Sequence, residues 1–129
     1  MRVLLDTQCF LWMAAAPERL SRRARSIAED ADNELLLSAA SAWEIAIKHG
    51  LGKLQLPEPP VRYVPSRLTI LRTTPLPISH EHALRVSTLP PHHRDPFDRL
   101  LIAQSQIEDL PVMTADVVFL KYNVSVIPA

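Results

Sequence analysis

Short apolar runs alternate along this chain with longer stretches of helical period, and that alternation limits the fold more than any other feature. Arg2–Leu5 reads as a buried strand that ends at the polar pair Asp6-Thr7, and Glu34–Leu37 as a second, closed by Ser38. Pro111–Met113 and Asn123–Ile127 read as two more, with weaker strand segments at Thr69–Thr73 and Leu76–Ile78. Between them, Gln8–Ala16 has a helical composition and stops at Pro17. Ser21 is placed to cap a helix running to about Asp30, with Ala24, Ile27, Ala28 and Ala31 at helical spacing. Ala39–His49 is helical again, with an apolar stripe of Ala39, Trp43, Ala46 and Ile47 and with Gly50 in the C-terminal cap position. Val61–Arg67 reads as a short helix or turn among prolines, Ser79 caps a helix to Val86, and the stiff loop Pro90–Pro96 leads into a helix over Phe97–Glu108. Strands alternating with helices predict an α/β protein, a three-layer α/β/α sandwich with a mainly parallel central sheet.

At 129 residues the chain is the length of one domain, taken as 1–129. Its 47% hydrophobic and 22% charged residues are globular proportions. Cys9 is the single cysteine, so no intramolecular disulfide forms, as suits a reducing cytoplasm. Asp6 comes too early for a signal peptide, and no apolar run reaches the roughly 20 residues of a bilayer span, so a soluble cytoplasmic protein is expected. Twelve prolines and two glycines leave no glycine-rich phosphate cradle, which excludes dinucleotide-binding and P-loop readings. Fourteen basic residues balance fourteen acidic ones. Nucleic-acid binding therefore requires charge segregation, for which Arg19, Arg22, Arg23 and Arg25 form one basic cluster and Lys48 and Lys53 another. The ordinary reading of such clusters is a solvated helix face.

Ligands of open α/β sheets gather beyond the carboxyl ends of the strands. Asp6 ends the first predicted strand and Asp116 follows the one at Pro111–Met113. Glu44 lies on the helix after the second strand and Asp98 in the first turn of the helix at Phe97. Four carboxylates at one end of a sheet raise each other's pKa unless cations are present. Hard divalent ions such as Mg²⁺ or Mn²⁺ relieve that cost and can drive phosphodiester hydrolysis. Singly, each acid has a plainer explanation: a turn or cap for Asp6 and Asp116, a helix-dipole partner for Asp98.

Four stretches go further: Asp6-Thr7, Ser41-Ala42-Trp43-Glu44-Ile45, His93-Arg94-Asp95-Pro96-Phe97-Asp98-Arg99 and Thr114-Ala115-Asp116. Together they resemble a PIN domain, and more narrowly the toxin ribonucleases of VapBC-type toxin–antitoxin pairs. The Asp-Pro-Phe-Asp-Arg run is the specific part, and the similarity extends over essentially the whole chain. The resemblance implies an Mg²⁺- or Mn²⁺-dependent endoribonuclease whose metal and catalytic residues are Asp6, Glu44, Asp98 and Asp116. Thr7, Ser41 and Thr114 would orient carboxylates or cap helices, and Asp95 would assist or shape its loop. Arg99 would reach a phosphate or, as the preferred reading, form an internal salt bridge. It also implies an RNA substrate, a small antitoxin partner, a homodimer, and DNA contact through the antitoxin alone.

His92 and His93 read as surface residues, Trp12 and Trp43 as core or interface aromatics, and Cys9 as a small buried hydrophobe. One rival is a phosphatase of the haloacid dehalogenase type, but Gln8 stands where its second Asp belongs. The other is a non-catalytic module whose acidic groove binds a basic peptide.

Overall fold

The computed structural model describes residues 1–129. One sheet of five parallel strands forms its centre: β1 (Arg2–Leu5), β2 (Glu34–Ser38), β3 (Thr73–Leu76), β4 (Val112–Thr114) and β5 (Val126–Pro128), in the order β3-β2-β1-β4-β5. Six helices connect them: α1 (Thr7–Ala15), α2 (Arg22–Glu29), α3 (Ala39–Gly50), α4 (Pro60–Ile70), α5 (His80–Arg85) and α6 (Pro96–Glu108). None of them is long and apolar enough to cross a membrane. The predicted sandwich around a parallel sheet is what the chain forms.

Strand alternation builds the two outer layers. Val3, Leu5, Leu35, Leu37 and Met113 point to a core completed by Phe10, Ala24, Tyr63 and Val64 from α1, α2 and α4. Leu4, Leu36 and Val112 point the other way, against Leu101, Ile102 and Ala103 of α6 and Phe119. Since both faces are covered, the central strands carry continuous apolar runs instead of a polar–apolar alternation.

Helix α3 is different. It gives Ala40 to one core and Ile45 to the other, and it packs against α1, α4 and α6. Standing at the sheet's end, it turns Ser41, Glu44 and Ile45 inward, while the predicted apolar stripe faces out. Trp43 is 57% exposed and Ile47 37%, the reverse of the expected orientation.

Local differences have local causes. Helix α3 includes Gly50, and the left-handed position falls to Gly52 at φ 72°, beyond the Leu51 cap whose N–H reaches Ile47 and His49. Helix α4 runs from Pro60 to Ile70, longer than Val61–Arg67 and through Pro65. Pro60 fits the first turn, which lacks internal acceptors for its N–H, and Pro65 lies on the solvent side. The helix thereby absorbs Thr69 and Ile70, and the two weak strand segments become the single strand β3. Pro75 is tolerated there because β3 is an edge strand.

Candidate active site

The chain winds outward from β1 to β2 and β3, then returns to β4 and β5 on the other side, so the sheet's switch point lies between β1 and β4. The loops leaving those two strands diverge there and open a crevice. Asp6 follows β1 directly and Asp116 lies two residues beyond β4. Glu44 descends from α3 and Asp98 from the first turn of α6. All four line one cavity of about 420 Å³ together with Thr7, Asp95, Lys48 and Lys53.

Most of these carboxylates are held by donors. Asp6 caps α1, with Oδ1 accepting from the Cys9 N–H at 2.7 Å, and its Oδ2 accepts from the Thr114 hydroxyl at 2.5 Å. The Thr114 oxygen in turn accepts from the Asp116 N–H at 3.0 Å, so β1 and β4 are locked across the switch point. Glu44 is 5% exposed. Its Oε1 accepts from the Thr7 hydroxyl at 2.6 Å and its Oε2 from Lys48 one turn along the helix. Asp116 caps a 3₁₀ turn, Val117–Lys121, through Val118 N–H to Oδ1 at 2.9 Å, while its Oδ2 takes His93 Nε2 at 2.8 Å. Asp95 caps α6 with Oδ1 and thereby fixes the turn that carries Asp98.

Asp98 has less support. No backbone N–H or hydroxyl donates to its carboxylate, and the nitrogen beside it is His93 Nε2 at 3.0 Å. Burial, then the neighbouring Asp95, push its pKa up to about 7, against the pull of His93 and with further repulsion from Glu44 and Asp6. Burial also raises Asp6, although the hydrogen bonds from Thr114 and Cys9 oppose the shift. Lys48 is held above the ordinary lysine range by its bond to Glu44 and stays charged at neutral pH. The Cys9 thiol is pushed upward by burial and by Asp6, which leaves it no nucleophilic thiolate.

The remaining candidates divide. Thr7 and Thr114 donate to carboxylates, one of the two roles left open for them. Ser41 is fully buried with no hydrogen-bond partner and does not line the cavity. Arg99 forms no salt bridge. Its guanidinium donates to the carbonyls of Val86, Leu89, Pro90 and His93 and to Tyr122 Oη, tying the start of α6 to the proline-rich loop and the turn before it. His92 is exposed as expected, with its ring edge-on to Tyr122. His93 is not a surface residue. The loop folds it inward between Asp98 and Asp116, and these three offer ligand atoms within 4.8 Å of one another. Two histidines in tandem gave no sign of which one turns in. Lys48 and Lys53 likewise prove to be cavity residues, not a merely solvated helix face.

A doubly covered parallel sheet with an acid cluster at its switch point places the chain in the class of α/β proteins. The comparisons narrow it: the PIN domain model matches residues 3–124, and the chain belongs to the PIN-domain family. Over 58 residues it is 55% identical to Ribonuclease VapC16 of Mycobacterium tuberculosis, a match covering 45% of this chain and 41% of that protein. Its fold is similar to VapBC2 from Rickettsia felis bound to a promoter DNA fragment (TM-score 0.70, 15% identity, 100% of this chain and 99% of that one). It is also similar to DNA-bound VapBC from Salmonella typhimurium (TM-score 0.69, 17% identity, 99% and 98%).

Proposed function

We propose that this chain is a metal-dependent endoribonuclease, the toxin half of a VapBC-type toxin–antitoxin pair. The observation that carries the reading is the convergence of Asp6, Glu44, Asp98 and Asp116, from four separate segments, on one cavity that Lys48 and Lys53 also line. Partial identity to a protein named as a ribonuclease supports the same chemistry.

The donor set fits a hard divalent ion. It consists of carboxylate oxygens, and one of them, Asp98, lacks the hydrogen-bond donors that would otherwise stabilise its charge. Asp6, Glu44, Asp98 and Asp116 would hold Mg²⁺ or Mn²⁺. Such an ion, when bound, would polarise a phosphoryl oxygen and lower the pKa of water, so that hydroxide is available as the nucleophile at phosphorus. The protein's own part is positioning. Thr114 and the Cys9 N–H fix Asp6, Thr7 and Lys48 fix Glu44, and Asp95 fixes the turn beneath Asp98. Lys48 and Lys53 offer positive charge to backbone phosphates entering the cavity. Zero net charge over the whole chain is compatible with RNA as substrate, because Lys48 and Lys53 place positive charge at the site itself.

Partners belong to the same proposal: a small antitoxin, a homodimer, and DNA contact through the antitoxin. The support is the resemblance of the fold to toxin–antitoxin complexes and the exposed apolar face of α3, with Trp43 against Phe97 at a 5.2 Å ring separation. The chain acts as one domain in the cytoplasm under this reading.

The test is cleavage of a labelled mixed RNA pool by purified protein with Mg²⁺, with Mn²⁺ and with EDTA, beside Asp6→Asn. Metal-dependent cutting lost in a folded variant is expected. Full cutting by Asp6→Asn would overturn the assignment, and turnover of a phosphomonoester instead of RNA would favour the phosphatase.

A further inference from the structure

His93 is the one nitrogen ligand candidate in a site otherwise made of oxygens, and its hydrogen bonds determine what it can do. An imidazole ligates a metal through a nitrogen that carries no proton. His93 Nδ1 accepts from the Asp95 backbone N–H at 3.2 Å, so that nitrogen is the unprotonated one. The proton then sits on Nε2, which donates to Asp116 Oδ2 at 2.8 Å and lies 3.0 Å from Asp98 Oδ2. Ligation through Nε2 would require the proton to move to Nδ1, where it would face the Asp95 N–H, donor against donor.

The ring is also held from behind. The His93 N–H donates to Tyr122 Oη at 2.7 Å, Arg99 reaches its carbonyl, and the Phe119 ring stands edge-on 6.0 Å away. The Asp-Pro-Phe-Asp-Arg run therefore acts on one histidine in two ways, Asp95 setting its tautomer and Arg99 holding its backbone, and it places Asp98 beside the ring.

We propose that His93 is a positioning residue of the metal site: its Nε2–H braces Asp116 beside Asp98, and it does not ligate the ion. The inference rests on the metal-site reading above and deepens it. Its Nε2–H holds the Asp116 carboxylate, whose other oxygen is taken by Val118, in one orientation beside Asp98. Partners of metal ligands act in this way, and their loss costs about 10–100-fold in affinity.

The experiment is Mn²⁺ titration of the full chain, followed by electron paramagnetic resonance, for wild type, Asp98→Asn, His93→Ala and His93→Gln. Pulsed measurements on the wild-type complex look for ¹⁴N coupling, and circular dichroism reports folding. We expect affinity to fall by about 10–100-fold in His93→Ala. Recovery to within about threefold of wild type is expected in His93→Gln, whose amide N–H replaces Nε2–H. No coupling from directly bonded nitrogen is expected. Directly bonded ¹⁴N would make His93 a ligand and overturn the proposal. So would a His93→Ala protein that binds like wild type, or a His93→Gln protein as weak as His93→Ala. If His93→Ala does not fold, His93→Gln and the ¹⁴N signal decide. Unchanged binding by Asp98→Asn would instead remove the metal-site reading itself.

Discussion

Asp98→Asn in the metal-free protein tests the electrostatics of the site without reference to activity. The Asp98 carboxyl is raised from 3.8 to about 7 by burial and then by Asp95. A group whose folded pKa lies above its unfolded value binds its proton more tightly in the folded state, so stability falls as pH rises between the two values. From about pH 5 to about pH 7 each pH unit costs about 1.4 kcal/mol, close to 3 kcal/mol in all. The side chain is 18% exposed, and water screening reduces this to about 2 kcal/mol. Asn keeps the shape and cannot ionise. In EDTA the variant should therefore gain about 2 kcal/mol on wild type between pH 5 and pH 8, roughly 6–8 °C in Tm for a chain of this size. The assay is urea or thermal unfolding of both proteins at the two pH values, which cancels the titrating groups remote from Asp98. Saturating Mn²⁺ should reverse the order, since an ion at about 100 times its Kd adds about 2.7 kcal/mol to wild type and less to the variant. A stability difference independent of pH would refute the reasoning, because it would mean that Asp98 ionises as freely in the folded chain as in the unfolded one.

Thr114→Val removes the hydroxyl that holds Asp6 across β1 and β4 and should cost about 1.5–3 kcal/mol at pH 7 by urea unfolding, as expected for a hydrogen bond to a charged group. Leu36→Ala, at a residue 1% exposed in the α6-side core, should cost about 2–5 kcal/mol in the same assay. Lys53→Ala should weaken RNA binding and lower its salt dependence by about one ion per molecule, read from the slope of log affinity against log salt. Trp43→Glu, which puts a charge on the exposed face of α3, should yield a monomer by light scattering under conditions where wild type is a dimer.

The amino-acid sequence by itself determined the alternation that makes a parallel sheet, because buried strands must be apolar on both faces and helices must be periodic. Asp6, Asp98 and Asp116 could be placed as candidates at strand ends or a helix start, and Glu44 on the helix after the second strand. Each had a plainer explanation singly, and it was the resemblance to PIN domains that grouped the four. Tertiary structure alone decided the rest. Whether α3 buries Trp43 or Glu44 depends on its place at the sheet's end, where the helix meets both layers, and its own periodicity offered the wrong face. Arg99 could not be assigned to carbonyls until the proline-rich loop was folded around it. The inward turn of His93 was equally hidden, since its partners Asp116 and Tyr122 lie 23 and 29 residues away in the chain. Local pattern fixes elements because their hydrogen bonds are near in sequence. A loop's side chains take their orientation from partners that only the packed sheet brings within reach.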